Sequence, residues 1–225
     1  DLNGSIASAT AVRKALIQGA VASAETAIPP ESASLVRALL TCGEGPVEYS
    51  AFSQNILAVL RLAPLSALAD LPEMNEGLHY KFKEAAITAT CLEELLAAVK
   101  SKRYSRTRLQ RLLIHALLQS NRSQFALFDE AGPLYARILA FNNRGRNILR
   151  HITRNAAIPV ITKTAHFLDS RTLASGNMSP LQKMLGFDIL STDIHVLGRP
   201  NQHSRLGGLD FRRSPRCIPC LSSSV

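Results

Sequence analysis

Lys100-Ser-Lys-Arg-Tyr-Ser-Arg-Thr-Arg-Leu-Gln-Arg-Leu-Leu-Ile-His-Ala-Leu-Leu118 is the stretch on which the reading of this chain turns. Leu109, Leu112, Leu113, Ala116 and Leu117 recur three and four residues apart, which is the apolar face of an α-helix. Ahead of that face lies a loop with Lys100, Lys102, Arg103 and Tyr104, and Arg106, Arg108 and Arg111 fall on the first turns. Residues 100–118 contain no Asp or Glu, whereas a solvated helix face normally mixes its signs. Cations without anions around a tyrosine match the electrostatics of phosphate-backbone recognition. Thr107 is the predicted cap, leaving backbone N–H groups turned toward an anion.

Helical spacing continues on both sides. Leu92, Leu95, Leu96 and Val99 form one stripe upstream, and Phe52, Ile56, Val59 and Leu60 form another. Pro29-Pro30-Glu31-Ser32 breaks the chain, with Ser32 predicted to cap the helix that follows. Ser8 or Thr10 is the predicted cap of a first helix carrying Val12, Leu16 and Ile17. Downstream, Leu134, Ile138, Leu139 and Ile148 predict a helix over 133–151 whose second half holds Arg144, Arg146 and Arg150, with an interruption allowed at Asn142–Gly145. Ala157–Thr162 is short and β-branched, the best strand candidate. Residues 171–180 read as loop, 181–197 as helix, and the tail from Gly198 as polar and basic.

The 225 residues are 46% apolar and 19% charged, which excludes wholesale disorder. No apolar run approaches the roughly 18 residues of a membrane span, and the first 20 residues have no signal-peptide pattern. Residues 1–78 hold four Lys/Arg against eight Asp/Glu, a net −4; residues 79–225 hold twenty-two against nine, a net +13. That asymmetry points to a polyanionic partner. Four cysteines make no secreted disulfide framework, so a cytoplasmic location is expected. Cys217 and Cys220 have the spacing of a zinc half-site, but no second pair accompanies them, and no metal site is expected. The chain has no GxxxxGK[ST], HExxH or GxSxG, and its six histidines are scattered. Residue chemistry alone describes a basic, helical, nucleic-acid-binding domain without a visible catalytic set.

Ile6-Ala-Ser-Ala-Thr-Ala-Val-Arg13 resembles the [IV]SxTxxR segment of HxGH-type nucleotidyltransferases. Taken with Glu76-Gly-Leu78, the Lys102–Arg111 run and Asp188-x-x-x-Thr-Asp-Ile194, the chain from about residue 4 to about 215 is similar to the bacterial tRNA(Met) cytidine acetate ligase family. The resemblance implies an ATP-dependent ligase that forms acetyl-adenylate and makes N4-acetylcytidine at the wobble position of elongator tRNA(Met). It implies ATP with magnesium and acetate as substrates, tRNA as partner and no membrane. Ser8, Thr10 and Arg13 match the nucleotide-phosphate motif; Lys102, Arg103, Tyr104, Arg106, Arg108 and Arg111 match the basic motif and are assigned to tRNA by their charge.

No HxGH occurs in the chain, so no catalytic residue is assigned, and this chain alone is expected to lack the adenylation site. The expected fold is mainly α, a helical C-terminal domain attached to the remnant end of an α/β, Rossmann-like nucleotidyltransferase domain. Residues 1–28 would be that end, 29–198 the helical tRNA-binding domain and 199–225 a basic tail. Two alternatives remain open from the residues: a non-catalytic RNA-binding protein derived from the family, and a nucleotidyltransferase acting on a small molecule.

Overall fold

A computed structural model describes residues 7–218. They fall into two compact units, one of residues up to Gln54 with Ile194–Leu206, the other of Asn55–Asp193 with the residues from Gly207 onward.

The first unit is built on α1 (Ala9–Ile17), α2 (Val21–Glu25) and α3 (Pro30–Thr41). Their buried positions are Ala15, Ala24 and Ala33, side chains small enough for close approach. Ser8 is the cap of α1: its Oγ accepts from the Ala11 N–H at 3.1 Å. α3 starts one residue after Pro29 with Pro30 in its first turn, where a missing N–H costs nothing, so Ser32 lies inside the helix rather than capping it. Arg37 clasps Glu25 with two hydrogen bonds of 2.9 and 2.6 Å. Asn201 donates its backbone N–H to the Gly43 carbonyl and its side-chain amide to the Cys42 carbonyl, both at 3.0 Å.

The second unit is organised by the leucine stripes. α4 (Ser53–Leu62), α5 (Leu65–Ala69), α6 (Leu78–Thr88), α7 (Leu92–Val99) and α8 (Arg106–Leu117) bury Ile56, Leu60, Phe82, Leu95, Leu109 and Leu112 completely. α4 and α6 satisfy each other's C-terminal carbonyls: Lys83 Nζ donates to Leu60, Arg61 and Ala63, and Arg61 donates to Ala86 and Ala89. α9 (Arg122–Ala131) follows, a helix the sequence reading passed over.

Residues 133–151 are not one helix. β1 (Ala136–Arg137) and β2 (Ala140–Asn142) come first, and α10 (Asn143–Asn155) begins where the Asn142 side chain accepts from the Gly145 N–H at 2.8 Å. The expected interruption is in fact an N-cap. β3 (Val160–Ile161) falls in the expected strand and pairs in parallel with β1. β4 (Arg216–Ile218) pairs in parallel with β2. Parallel pairing requires a crossover, which α10 supplies between β1 and β3. The segment read as a loop contains α11 (Ser170–Ser175), started by Asp169 Oδ1 accepting from the Thr172 N–H at 2.7 Å and stopped by Gly176 at φ +69°. α12 (Pro180–Val196) and α13 (Leu209–Arg212) complete the helices. Ile161, Leu168, Leu185 and Ile189 form a separate small core with Tyr135, Phe167, Met178 and Phe211 packed against it.

This arrangement corrects the expected fold class. The short parallel strands and their crossover helix lie within residues 136–218, inside the part expected to be a helical domain and its tail. Cys217 is an exposed residue of β4, whereas Cys220 and the tail from residue 219 on lie outside the described residues. No described helix is long and apolar enough to cross a membrane.

Candidate nucleotide and RNA sites

Ser8, Thr10 and Arg13 share the first turns of α1, and all three are exposed. Ser8 spends its hydroxyl oxygen on the helix itself, through the bond from Ala11. Thr10 and Arg13 stand one turn apart on the surface. A helix start with exposed hydroxyl and guanidinium groups suits a phosphate, because the unpaired N–H groups and the helix dipole both favour negative charge.

The basic run is assembled differently from its sequence. Ser105, not Thr107, caps α8, its Oγ accepting from the Arg108 N–H at 3.3 Å; the hydroxyl two residues earlier stands nearer the first free N–H groups. Tyr104 is 5% exposed, and its hydroxyl donates to Glu76. That hydrogen bond, followed by burial and the Glu76 charge, holds the phenol above its usual pKa. The Arg108 guanidinium lies 5.1 Å from the centre of the Tyr104 ring.

The acids missing from residues 100–118 arrive from elsewhere. Arg103 pairs with Glu76 at 3.0 Å and Arg111 with Glu73 at 2.5 Å, while Arg106 pairs with Glu93. Arg108 also donates to the Glu73 carbonyl at 3.3 Å. Glu73 and Glu76 occupy left-handed backbone, φ 58° and 56°, and Gly77 follows at 74°. Non-glycine residues adopt that region at a cost, so the loop is held from outside. Arg122 does this, donating to the Asp70 carbonyl from its backbone and to Ala69, Met74 and Asn75 from its guanidinium. The structure brings Arg103, Tyr104, Arg108 and Arg111 together around the acidic loop, pairs Arg106 with Glu93 of α7 instead, and leaves Lys102 exposed.

Sequence reasoning missed a third group. Arg137, Asp210, Thr164, Arg213 and Arg216 line a cavity of about 490 Å³. Arg137 donates to Asp210 Oδ1, and the buried Oδ2 has no hydrogen-bond partner. Tyr135 beside it donates to Asp188, and burial, then Asp188, raises its phenol pKa. Asp188 belongs to the Asp188–Ile194 motif, the only advance signal for this group.

The family model for "HIGH Nucleotidyl Transferase" matches residues 1–208. A tRNA(Met) cytidine acetate ligase of Halothermothrix orenii is 34% identical over 93% of this chain and 49% of its own length. A protein of the same name from Thermoanaerobacter sp. strain X514 is 34% identical over 94% of this chain and 49% of its own. Among solved structures, Thermotoga maritima TmcAL bound with alpha-thio ATP superposes with a TM-score of 0.86 at 25% identity, covering 96% of this chain and 53% of that one. The chain therefore spans about half the length of the curated relatives it matches.

These findings complete the correction of the fold class. The likeness to TmcAL runs through 96% of the chain, so the fold of that one relative extends over nearly all of it; a helical domain appended to a remnant is not the right description. With a family model matched from residue 1 to residue 208, the chain belongs to the HIGH nucleotidyl transferase family.

Proposed function

We propose that this chain is part of an ATP-dependent tRNA(Met) cytidine acetate ligase. In that reaction an acetate oxygen attacks the α-phosphorus of ATP and pyrophosphate leaves, giving acetyl-adenylate. The N4 amine of a cytidine then attacks the acetyl carbonyl, AMP leaves and the amine loses a proton. Acetate itself is a poor acyl donor, and adenylation supplies the leaving group. The observation that carries the reading is the 0.86 TM-score to a TmcAL chain holding an ATP analogue, supported by 34% identity to enzymes of that name.

Ser8, Thr10 and Arg13 are the proposed ATP-phosphate contacts, with magnesium as the nucleotide's counter-ion. The α1 N-terminus fits this role by its exposure and its dipole. Lys102, Arg103, Tyr104, Arg106, Arg108 and Arg111 are the proposed tRNA face. Its ion pairs with Glu73, Glu76 and Glu93 are exposed surface pairs, which are weak and exchange for phosphate. Tyr104, being buried, serves that face by supporting the Arg108 guanidinium rather than by stacking on a base.

The test is titration calorimetry of the chain with ATP, and separately with tRNA(Met), followed by incorporation of labelled acetate into tRNA. Binding of both ligands, with ATP affinity reduced at least tenfold in Thr10→Ala/Arg13→Ala, supports the reading. tRNA binding without any ATP binding overturns the assignment of Ser8, Thr10 and Arg13 to ATP. ATP binding without tRNA binding turns it to a small-molecule nucleotidyltransferase.

A further inference from the structure

We infer that α10 (Asn143–Asn155) is a second RNA-contacting surface, resting its arginine ladder on a phosphate backbone; the inference rests on the tRNA reading above. Arg146, Arg150 and Arg154 recur every four residues, so they stand on one face at intervals of about 6 Å along the axis. Asn143 and Asn147 share that face and are exposed. Arg144 stands at the edge. Residues 143–155 contain no Asp or Glu.

The contrast with α8 is what points to a ligand. There the acidic loop and Glu93 partner Arg103, Arg106 and Arg111. Among the described residues no carboxylate lies within ion-pair distance of Arg144, Arg146, Arg150 or Arg154. The contact recorded for Arg146 is with Cys217 Sγ at 3.4 Å, a weak acceptor. Cations stacked at four-residue spacing repel one another and destabilise the helix that carries them. α10 has no buried residue to offset this, so an outside anion is the complement its surface lacks. Two features favour RNA over a lipid headgroup surface. The exposed apolar residues of α10 are Ile148 and Ile152 alone, too little area to anchor a helix in a bilayer interface. The asparagines among the arginines carry amide N–H donors for phosphates and amide donors and acceptors for 2′-hydroxyls and base edges.

The experiment measures binding of tRNA(Met) transcript to the full chain between 50 and 200 mM salt, for the wild type, Arg150→Ala/Arg154→Ala and Arg150→Lys/Arg154→Lys. Alanine is a good helix former, and circular dichroism verifies that α10 survives. The alanine pair is expected to weaken binding at least tenfold and to flatten the plot of log K against log salt by roughly 1.5, the loss of two phosphate contacts. The lysine pair is expected to keep the wild-type slope. Unchanged affinity and slope in the alanine pair, with the wild type still binding, overturn this inference and leave the tRNA reading standing. A wild-type chain that binds no tRNA overturns both. If the alanine pair instead releases the chain from vesicles of phosphatidylserine and phosphatidylcholine while tRNA binding is untouched, the surface is a membrane contact and the RNA assignment is overturned.

Discussion

Tyr104 and Glu76 are joined by a hydrogen bond between a buried phenol and a carboxylate held on left-handed backbone, 28 residues apart in the chain. The same carboxylate oxygen takes Arg103 at 3.0 Å. This joint fixes the acidic loop against the start of α8. The phenol is raised because its proton is committed to Glu76, so its contribution to stability is present below the unfolded pKa near 10 and is lost as pH rises through the folded value. Ultraviolet titration should show late tyrosine ionisation from Tyr104 and Tyr135, whose phenols are both raised. Tyr104→Phe should delete one late step and leave the other. Loss of an early step instead would mean that the joint does not form in solution.

Glu73 and Glu93 pair with Arg111 and Arg106, two arginines of the proposed tRNA face. Glu73→Gln/Glu93→Gln should strengthen tRNA binding and steepen its salt dependence by roughly 0.7–0.9 per phosphate newly contacted. Affinity at 50 mM salt and at 200 mM salt is enough to see it. A variant that binds as the wild type does removes residues 102–111 from the RNA face.

His115 is buried beside Ser120, whose hydroxyl lies 2.9 Å from Nδ1, and burial lowers the ring's pKa. His195 is lowered for the same reason, with Arg199 adding to the effect. A depressed histidine favours folding fully above the unfolded pKa near 6.5. Below that the unfolded chain takes up protons first, and stability falls until the folded rings protonate as well. The urea midpoint should therefore be lower at pH 5.5 than at pH 7.5. His115→Gln should shrink the difference; an undiminished difference would assign it to other groups.

Ser8 is both the cap of α1 and one of the proposed ATP contacts, and its role can be read apart from that of Thr10. Ser8→Ala should cost about 1 kcal/mol of stability, and Ser8→Gly only a few tenths. Thr10→Ala should stay within about 0.5 kcal/mol, since its side chain is exposed, while weakening ATP binding. Denaturation midpoints and calorimetric affinities, measured on the same samples, distinguish the two. If Ser8→Ala weakens ATP binding without touching stability, the cap bond is not the role of that hydroxyl.

Gly43 has φ +65°, and a Cβ there would stand 2.8 Å from Asn201 Cβ. Gly43→Ala combines an unfavourable backbone with a close contact and should cost about 1–3 kcal/mol. Thermal melts read this directly, and a melt like the wild type's would show that the Gly43–Asn201 approach is looser than described.

Much of this was legible in the sequence, because it depends on neighbours along the chain. The leucine stripes from Ile56 to Ala116 obey the helical period, and most of those residues are buried. Ser8 caps because it is the side chain next to the first free N–H groups. The β-branched Val160–Ile161 is a strand for the same local reason. The family resemblance rested on short motifs whose order the chain preserves. Residues 133–151 misled because Leu134, Ile138 and Leu139 fit a helix, and only pairing with residues 160 and 216–218, far along the chain, draws them into strands.

What the tertiary structure alone decided is the charge environment. The run from Lys100 to Leu118 contains no acid, yet Glu73, Glu76 and Glu93 reach it across 13 to 38 residues of chain. The stretch 143–155, about as basic per residue, keeps its arginines without carboxylate partners among the described residues. Helix periodicity is a short-range property fixed by the backbone, so a sequence carries it openly. The field at a guanidinium is the sum over every charge that folding brings near, and no local pattern encodes that sum.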